Sequence, residues 1–285
     1  MPRIRPATLD DADGICHFMH AHMNSEIAAD TWRRLFTYRW HPSPPDLGFI
    51  VVDDGEIGGY MGTIYHQRRI KGELQTFCNL SSWFIAKPFR GQGLGRESLA
   101  QALEQRHRYH HSVLSAARNT ARIFTTLQYP LLETHRYVLK PEVGGEWLEV
   151  LESPDEFRAQ LGDVDTRILD DHLAYGCRHL YFSAAGSRST YVIVKDFRRR
   201  RGGWRSEILY ASDYGVLTEK AGFVAHHIVR DASSLVTIDA RFMSFPPRAA
   251  VLEPLPTPRY CFSDRVPRTR YAGIYSEAVL LDYEI

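Results

Sequence analysis

Apolar positions near the start of the chain follow a helical pattern. Residues 8–11 read Thr-Leu-Asp-Asp, which is typical of a capped helix start. Ile15, Phe18, Met19 and His22 then follow at helical spacing. The pattern predicts an amphipathic first helix that begins a domain close to the N-terminus.

After this helix, apolar runs bounded by turn residues predict strands. Asp53, Asp54 and Gly55 separate the first two runs and predict a hairpin. The predicted strands are 48–52, 57–66, 74–86, 112–116 and the extended segment 134–139, with helices at about 93–108 and 120–127. Helices and strands therefore alternate in a compact order over about residues 3–140.

Beyond Pro141 the sequence turns polar and glycine-rich at 142–146, and a capped helix start follows at Ser153. We interpret this stretch as the junction between two domains, 1–141 and 150–285. The second domain is predicted to contain strands at 178–184, 190–197, 207–211, 235–240 and 274–283, and a helical stretch at about 214–229. Its order of elements is similar to that of the first domain.

The composition is that of a globular protein. The chain has 285 residues, of which 44% are hydrophobic, enough for one large domain or two of ordinary size. No apolar run approaches 18 residues, and the N-terminus lacks the apolar segment of a signal peptide. We therefore expect a cytoplasmic location and no membrane partner.

Charge and cysteine usage exclude several classes of protein. The formal net charge of +1 gives no surface-wide field for nucleic acid, and the basic run 198–201 precedes Gly202 and Gly203, as in a solvated hairpin tip. The 4 cysteines are widely spaced without a C-x-x-C pair, which argues against a disulfide framework and a zinc site. No nucleic-acid partner is expected.

A glycine-rich segment carries the clearest chemistry. Residues 90–95 read Arg-Gly-Gln-Gly-Leu-Gly and lie between the apolar segment 83–86 and a segment with helical periodicity. The first N–H groups of a helix lack carbonyl partners, and glycines let an anion approach them closely. The segment predicts a site for a diphosphate, with a simple tight strand-to-helix connection as the alternative.

Two common phosphate-binding signatures do not match this segment. The pattern G-x-G-x-x-G fails at Arg96, and no Walker sequence occurs. With Ile85 and Pro88 before it, the segment instead resembles the acyl-CoA-binding signature V-x-P-x-x-R-G-x-G-x-G of the GNAT superfamily of N-acyltransferases. The second domain resembles a degenerate GNAT-like half, because 212–215 has an aspartate and no glycine-rich turn; a plain α+β extension is the alternative.

The resemblance implies an α/β (α+β) fold, with a mixed and mostly antiparallel sheet flanked by helices. It also implies that the protein uses acetyl-CoA or another acyl-CoA as co-substrate and needs no metal. It also implies that backbone N–H groups of strand 81–85 polarise the thioester carbonyl. The implied CoA-binding residues are Phe84, Ile85, Arg90, Gly91, Gln92, Gly93, Leu94, Gly95, Arg96 and Asn119. For Asn119 a role as a helix N-cap is the alternative.

This sequence departs from the family at two positions. Ser81 stands where many members have a glutamate base, and Phe124 where many have a tyrosine acid. The catalytic residues are therefore unassigned, with Ser81, Ser82 and His66 as candidates. Cys78 is interpreted as a small buried strand residue. The grouped histidines are interpreted as exposed helical residues rather than metal ligands: His17, His20, His22, His107, His110 and His111.

The sequence thus predicts an acyl-CoA-dependent acyltransferase, with acetyl-CoA as the expected donor. The acyl group would pass to an amine, or alternatively a hydroxyl, of a small-molecule acceptor by direct attack on the thioester. A non-catalytic acyl-CoA-binding or regulatory module is the alternative, because the glutamate and the tyrosine are missing. The acceptor, the acyl chain length and the oligomeric state, a homodimer included, are not identified by the sequence.

Overall fold

One twelve-stranded sheet runs through the protein. The computed structural model describes residues 1–143, 147–184, 188–199, 202–263 and 265–282. The strands are β1 (Arg3–Pro6), β2 (Phe49–Asp53), β3 (Glu56–Ile70), β4 (Glu73–Ile85), β5 (His110–Val113), β6 (Leu131–Leu139), β7 (Trp147–Leu151), β8 (Arg178–Ala184), β9 (Arg188–Arg198), β10 (Trp204–Ala211), β11 (Leu235–Asp239) and β12 (Ala250–Cys261).

Helices cover both faces of this sheet. They are α1 (Ala12–His22), α2 (Ala29–Trp32), α3 (Arg34–Thr37), α4 (Leu94–Leu103), α5 (Arg118–Thr126), α6 (Pro154–Phe157), α7 (Asp163–His172), α8 (Tyr214–Glu219), α9 (Ala221–Ile228) and α10 (Glu277–Leu280). None of the helices in the described ranges is both long enough and apolar enough to cross a membrane.

The two halves of the sheet repeat one topology. In the first half, β2, β3 and β4 are antiparallel, α4 follows, and β5 runs parallel to β4. In the second half, β8, β9 and β10 are antiparallel, α8 and α9 follow, and β11 runs parallel to β10. The mixed, mostly antiparallel α/β fold and the GNAT-like second half are therefore as predicted.

The last strand of each half lies in the other half. The strand order is β1-β2-β3-β4-β5-β12-β6-β11-β10-β9-β8-β7, so β12 lies beside β5, and β6 lies beside β11. β12 and β6 also pair with each other at the centre of the sheet. This exchange makes one continuous sheet of the two halves and places C-terminal residues near the first half's strands.

The core is continuous across the halves on one face of the sheet. Buried side chains of α1 and α7, among them Met19 and Leu169, share one apolar cluster with Tyr60, Tyr191 and Tyr275. On the other face, α4 and α5 pack on the first half, and α8 and α9 pack on the second half. The C-terminal segment is therefore held against the first half by buried apolar contacts.

Most predicted elements are present with small shifts at their ends. The capping box of Thr8 and Asp11 precedes α1, and the predicted strands of the first domain correspond to β2, β3, β4, β5 and β6. The helix expected at 93–108 is shorter and ends at Leu103. The interpretation of His110 and His111 as exposed helical residues is wrong, because both are buried in β5. Of the basic run 198–201, Arg198 is the last residue of β9 and Arg199 follows it, and Arg200 and Arg201 lie outside the described residues.

One predicted strand is wrong. Residues 274–282 form irregular structure and the short helix α10, and Tyr283 lies outside the described residues. The sequence analysis also missed β1, α2, α3, β7, α7 and β12. Of the junction at 142–146, residues 144–146 lie outside the described ranges, and the domain limits 1–141 and 150–285 stay a prediction.

Candidate active site

The glycine-rich segment forms an exposed turn between β4 and α4. Gly91 and Gly93 have φ angles of +79° and +81°, a region that favours glycine, and Gly93 is the N-cap of α4. A Cβ atom added at either glycine would meet no atom within 4 Å. The space outside the turn is therefore open to a ligand that approaches the first N–H groups of the helix.

Side chains fix this turn to the end of β4. The Nε atom of Arg90 donates to the carbonyl oxygen of Ile85 at 2.7 Å, and its guanidinium lies 5.3 Å from the ring centroid of Phe84. The Nε2 atom of Gln92 donates to the carbonyl oxygen of Pro88 at 3.0 Å. The side chain of Arg96 is exposed, and that of Leu94 is buried.

β4 contains a bulge just before this turn. Ser82 has a φ of +51°, and the register with β3 shifts between the pairs Tyr60–Phe84 and Gly62–Ser81. Two residues of β4, Ser82 and Trp83, therefore lie opposite one residue of β3. A bulge leaves its extra residue outside the ladder of hydrogen bonds, which frees backbone polar groups for another partner.

β4 and β5 diverge at the same level. They pair in parallel only over residues 77–79 and 110–112, after which β4 continues to Ile85 while β5 ends at Val113. The gap between them widens into a cavity of about 250 Å³. The cavity is lined by Met23, Asn24, Ile27, Trp32, Met61, Leu80, Ser81, Ser82, Trp83, Val113, Ser115, Ala116, Ala117, Thr120, Phe124, Glu277 and Leu281.

The predicted candidates fall into two groups. Ser81 and Ser82 line the cavity, with their hydroxyl oxygens 3.4 Å apart, and Phe124 lies on its wall. His66 is buried outside the lining, stacked between Phe77 and Tyr275. Burial lowers the pKa of His66 well below its ordinary value, so the imidazole is neutral in the folded protein.

Asn119 is exposed in the first turn of α5, whose N-cap is Ala117. The alternative role of Asn119 as the N-cap is therefore wrong. Its contact with a CoA arm stays a prediction.

The sequence analysis missed one residue of the site, Glu277 on α10. Its Oε2 atom accepts from the Nδ2 atom of Asn79 at 2.6 Å, and its Oε1 atom accepts from the hydroxyl of Ser115. Burial raises the pKa of this carboxyl above its ordinary value. The only signal was an acidic residue among the apolar residues of 274–281, within the segment 274–283 that was predicted to be a strand.

The second half lacks the open turn. At the start of α8, the Oδ1 atom of Asp213 accepts from the backbone N–H of Val216 at 2.9 Å. The protein's own carboxylate thus occupies the place at which the first half offers free N–H groups. No group of three or more His, Cys, Asp or Glu side chains that could hold a metal is found among the described residues.

Comparison with known proteins identifies the first half. Residues 17–123 match the model of the acetyltransferase (GNAT) family. The likeness in sequence to this family is thus confined to the first half. A search of curated proteins finds no match in sequence.

Solved structures extend the likeness in fold to nearly the whole chain. One similar structure is a conserved protein of unknown function from Enterococcus faecalis V583, for which N-acyltransferase activity is suggested, with 11% identity over 91% of this chain and 72% of that chain and a TM-score of 0.60. Another is a GCN5-related N-acetyltransferase from Anabaena variabilis ATCC 29413, with 11% identity over 92% and 72% and a TM-score of 0.57.

A third is a GCN5-related N-acetyltransferase from Kribbella flavida, with 12% identity over 92% of this chain and 71% of that chain and a TM-score of 0.56. At such identities the likeness establishes the fold. The chain therefore has the fold of these structures over nearly its whole length, with the family match in its first half.

Proposed function

We propose that this protein transfers an acyl group, with acetyl-CoA as the donor, to an amine of a small-molecule acceptor. One observation carries the proposal: the cavity opens where β4 and β5 diverge, beside the bulge in β4, and β4 leads from that bulge to the open glycine turn. A single extended ligand with a diphosphate at one end and a thioester at the other would fit this sequence of features. The match of residues 17–123 to the GNAT family model supports the same assignment.

Each part of the site then has a distinct chemical role. The backbone N–H groups of 91–95 would bind the diphosphate, with the positive end of the α4 dipole behind them. Main-chain groups of Phe84 and Ile85 would orient the pantetheine arm. An N–H donor in this part of β4 would stabilise the oxyanion that forms when a nucleophile attacks the thioester, an effect worth about 3 kcal/mol in comparable sites.

Substitution at Gly93 tests the proposed diphosphate site. In Gly93→Val, the new side chain occupies the open space outside the turn, and its positive φ is unfavourable for valine. We expect CoA affinity, measured by isothermal titration calorimetry, to fall about 10-fold or more, which corresponds to about 1.4 kcal/mol.

Gly72→Val is the matched control for this experiment. Gly72 has a φ of +85°, and its Cβ would also meet nothing within 4 Å, but it lies in the hairpin between β3 and β4, away from the turn. Gly72→Val therefore introduces similar backbone strain but places no side chain in the proposed diphosphate site. Equal CoA affinity in the wild type and Gly93→Val would show that the diphosphate does not bind at this turn.

Turnover distinguishes the enzyme from a non-catalytic acyl-CoA-binding module. Acetyl-CoA is incubated with a broad set of amines and alcohols, and free CoA is followed with a thiol reagent. An acyltransferase releases CoA in proportion to acetylated product with at least one acceptor. Tight binding of acetyl-CoA without release for any acceptor at any pH would leave the binding module as the function.

A further inference from the structure

A single carboxylate lies in an apolar cavity. Glu277 is 2% exposed and is the one charged side chain among the described residues that line the cavity. Ile27, Met61, Leu80 and Leu281 contribute apolar walls around it. A carboxylate in such surroundings is costly unless a cation or several hydrogen bonds compensate it.

The compensation within the protein is incomplete. Asn79 on β4 and Ser115 after β5 each donate one hydrogen bond, and both donors are neutral. The positive charge of Arg259 on β12 acts on Glu277 from a distance, but Arg259 is already paired with Glu207 and Asp239. Within the described part of the chain no basic side chain forms an ion pair with Glu277, and each of its oxygens can accept a second hydrogen bond.

Two hydrogen-bond donors on the same cavity also lack partners. The indole N–H groups of Trp32 and Trp83 are buried and have no hydrogen-bond partner, and both residues line the cavity. Buried donors without a partner are rare in native proteins. A ligand that carries carbonyl oxygens, such as a thioester or the amide formed from it, would satisfy them.

We infer that the acceptor is a primary amine on an apolar body, and that its nitrogen binds against Glu277. The inference rests on the proposed function and names the acceptor class of the same site. An ammonium group supplies the cation that the carboxylate lacks, and the apolar body fits the walls. A carboxylated amine, such as a free amino acid, is disfavoured because the cavity offers no cation for a second carboxylate.

The chemistry balances with Glu277 as the first proton acceptor. The ammonium gives one proton to the Glu277 carboxylate, and the neutral nitrogen attacks the thioester carbonyl carbon. The C–N bond forms, the C–S bond breaks, and the CoA thiolate leaves with the electron pair of that bond. The second proton of the nitrogen goes to the thiolate, and Glu277 returns its proton to water. Burial raises the pKa of Glu277, which suits a base for this transfer.

The acceptor class is tested with matched pairs. Phenethylamine is compared with phenylalanine, and tryptamine with tryptophan, with acetyl-CoA as the donor and CoA release as the readout. We expect kcat/KM to be about 100-fold higher or more for each amine than for its carboxylated counterpart.

Failure of this inference differs from failure of the proposed function. If phenylalanine, tryptophan or glucosamine releases CoA and the two apolar amines do not, the function stands and the inference is wrong. If no acceptor of any class releases CoA, both are wrong.

The role of Glu277 is tested with Glu277→Gln, and Glu219→Gln is the control. Glu219 is an exposed glutamate paired with Arg188, outside the cavity. We expect kcat for phenethylamine to fall about 100-fold or more in Glu277→Gln, and the limb of the pH profile that rises with the ionisation of a carboxyl to disappear. Glu219→Gln should keep the wild-type kcat and the wild-type pH profile. An unchanged kcat and pH profile in Glu277→Gln would overturn the role of Glu277.

Stability and CoA affinity show that Glu277→Gln is folded. Because the folded pKa of Glu277 is raised, its stabilising contribution is present at low pH and is lost as the pH rises through that value. A neutral glutamine avoids this loss, so the thermal midpoint at neutral pH should be no lower than in the wild type. Acetyl-CoA affinity should be unchanged, because the turn is intact.

Discussion

Five histidines are buried in the described part of the fold, and burial keeps their imidazoles from taking up a proton. His66 stacks between Phe77 and Tyr275 with ring centroids 5.1 and 4.1 Å away, and neither ring nitrogen has a hydrogen-bond partner. Burial lowers the pKa of the other buried histidines to about 4: His110, His111, His172 and His179. All of these imidazoles are therefore neutral in the folded protein at neutral pH.

These shifts predict acid sensitivity, and His66→Phe tests it. Each depressed pKa gives stability above about pH 6.5 that is lost toward pH 4, because the unfolded chain binds the proton first. Each such group steepens the loss by about 1.4 kcal/mol per pH unit. In His66→Phe, the free energy of unfolding, measured with denaturant, should differ less between pH 5 and pH 7.5 than it does in the wild type. The variant should also keep its turnover, and a large loss of kcat at neutral pH would restore His66 as a candidate base.

At the scale of elements, the site depends on where β4 leaves its neighbours. The φ of +51° at Ser82 and the shift of register with β3 place the bulge beside the cavity. Both serines of the bulge region were candidates for catalysis from sequence. The geometry gives Ser82 a backbone role, because a left-handed conformation at this position shapes the strand whatever the side chain does.

A series of substitutions at Ser82 distinguishes the effect of its backbone conformation from the effect of its hydroxyl group. Ser82→Gly and Ser82→Ala both remove the hydroxyl, and glycine also removes the cost of about 1 kcal/mol of the left-handed conformation. Both variants should keep acetyl-CoA binding and kcat within a few-fold. Ser82→Val should lower both, since a β-branched residue is disfavoured at this φ. Loss of kcat in Ser82→Ala with unchanged binding would instead assign the hydroxyl a catalytic role.

The elements that sequence could not predict are those governed by distant contacts. β12 contains Pro254, Pro256 and Pro258, which lack the N–H group of a central strand and so argue against one. β12 nevertheless lies in the centre of the sheet. It can do so because its pairing with β6 is interrupted after Pro254 and resumes at Arg259. The prolines in between fall in the irregular part.

The helix α10 shows the same limit from the other side. Its apolar residues were consistent with a strand, since a short apolar run does not distinguish a strand from a buried helix. Local patterns did predict the glycine turn, β4 and α4, because each depends on neighbours in sequence. Glu277 could not be placed in the site from sequence, because its contacts with Asn79 on β4 and Ser115 after β5 span 198 and 162 residues of the chain.

On the scale of the whole molecule, two related halves share one sheet but differ at their helix starts. The first half offers exposed glycines before α4, whereas Asp213 caps α8 with its own carboxylate. A diphosphate at α8 would meet that negative charge and would have to displace its hydrogen bond to Val216. The second half therefore contributes structure: its exchanged strand β12 extends the sheet beside β5, and the segment that carries Glu277 completes the cavity of the first half.

This asymmetry predicts one CoA site per chain. Titration of CoA by calorimetry, with the protein concentration fixed from its absorbance, should give a stoichiometry near one and a single affinity. Gly93→Val should weaken that one isotherm without revealing a second one, because the carboxylate of Asp213 caps the start of α8. Gly72→Val should preserve it. A stoichiometry near two, or a second isotherm that survives in Gly93→Val, would mean that Asp213 rearranges to admit a diphosphate and that both halves bind CoA.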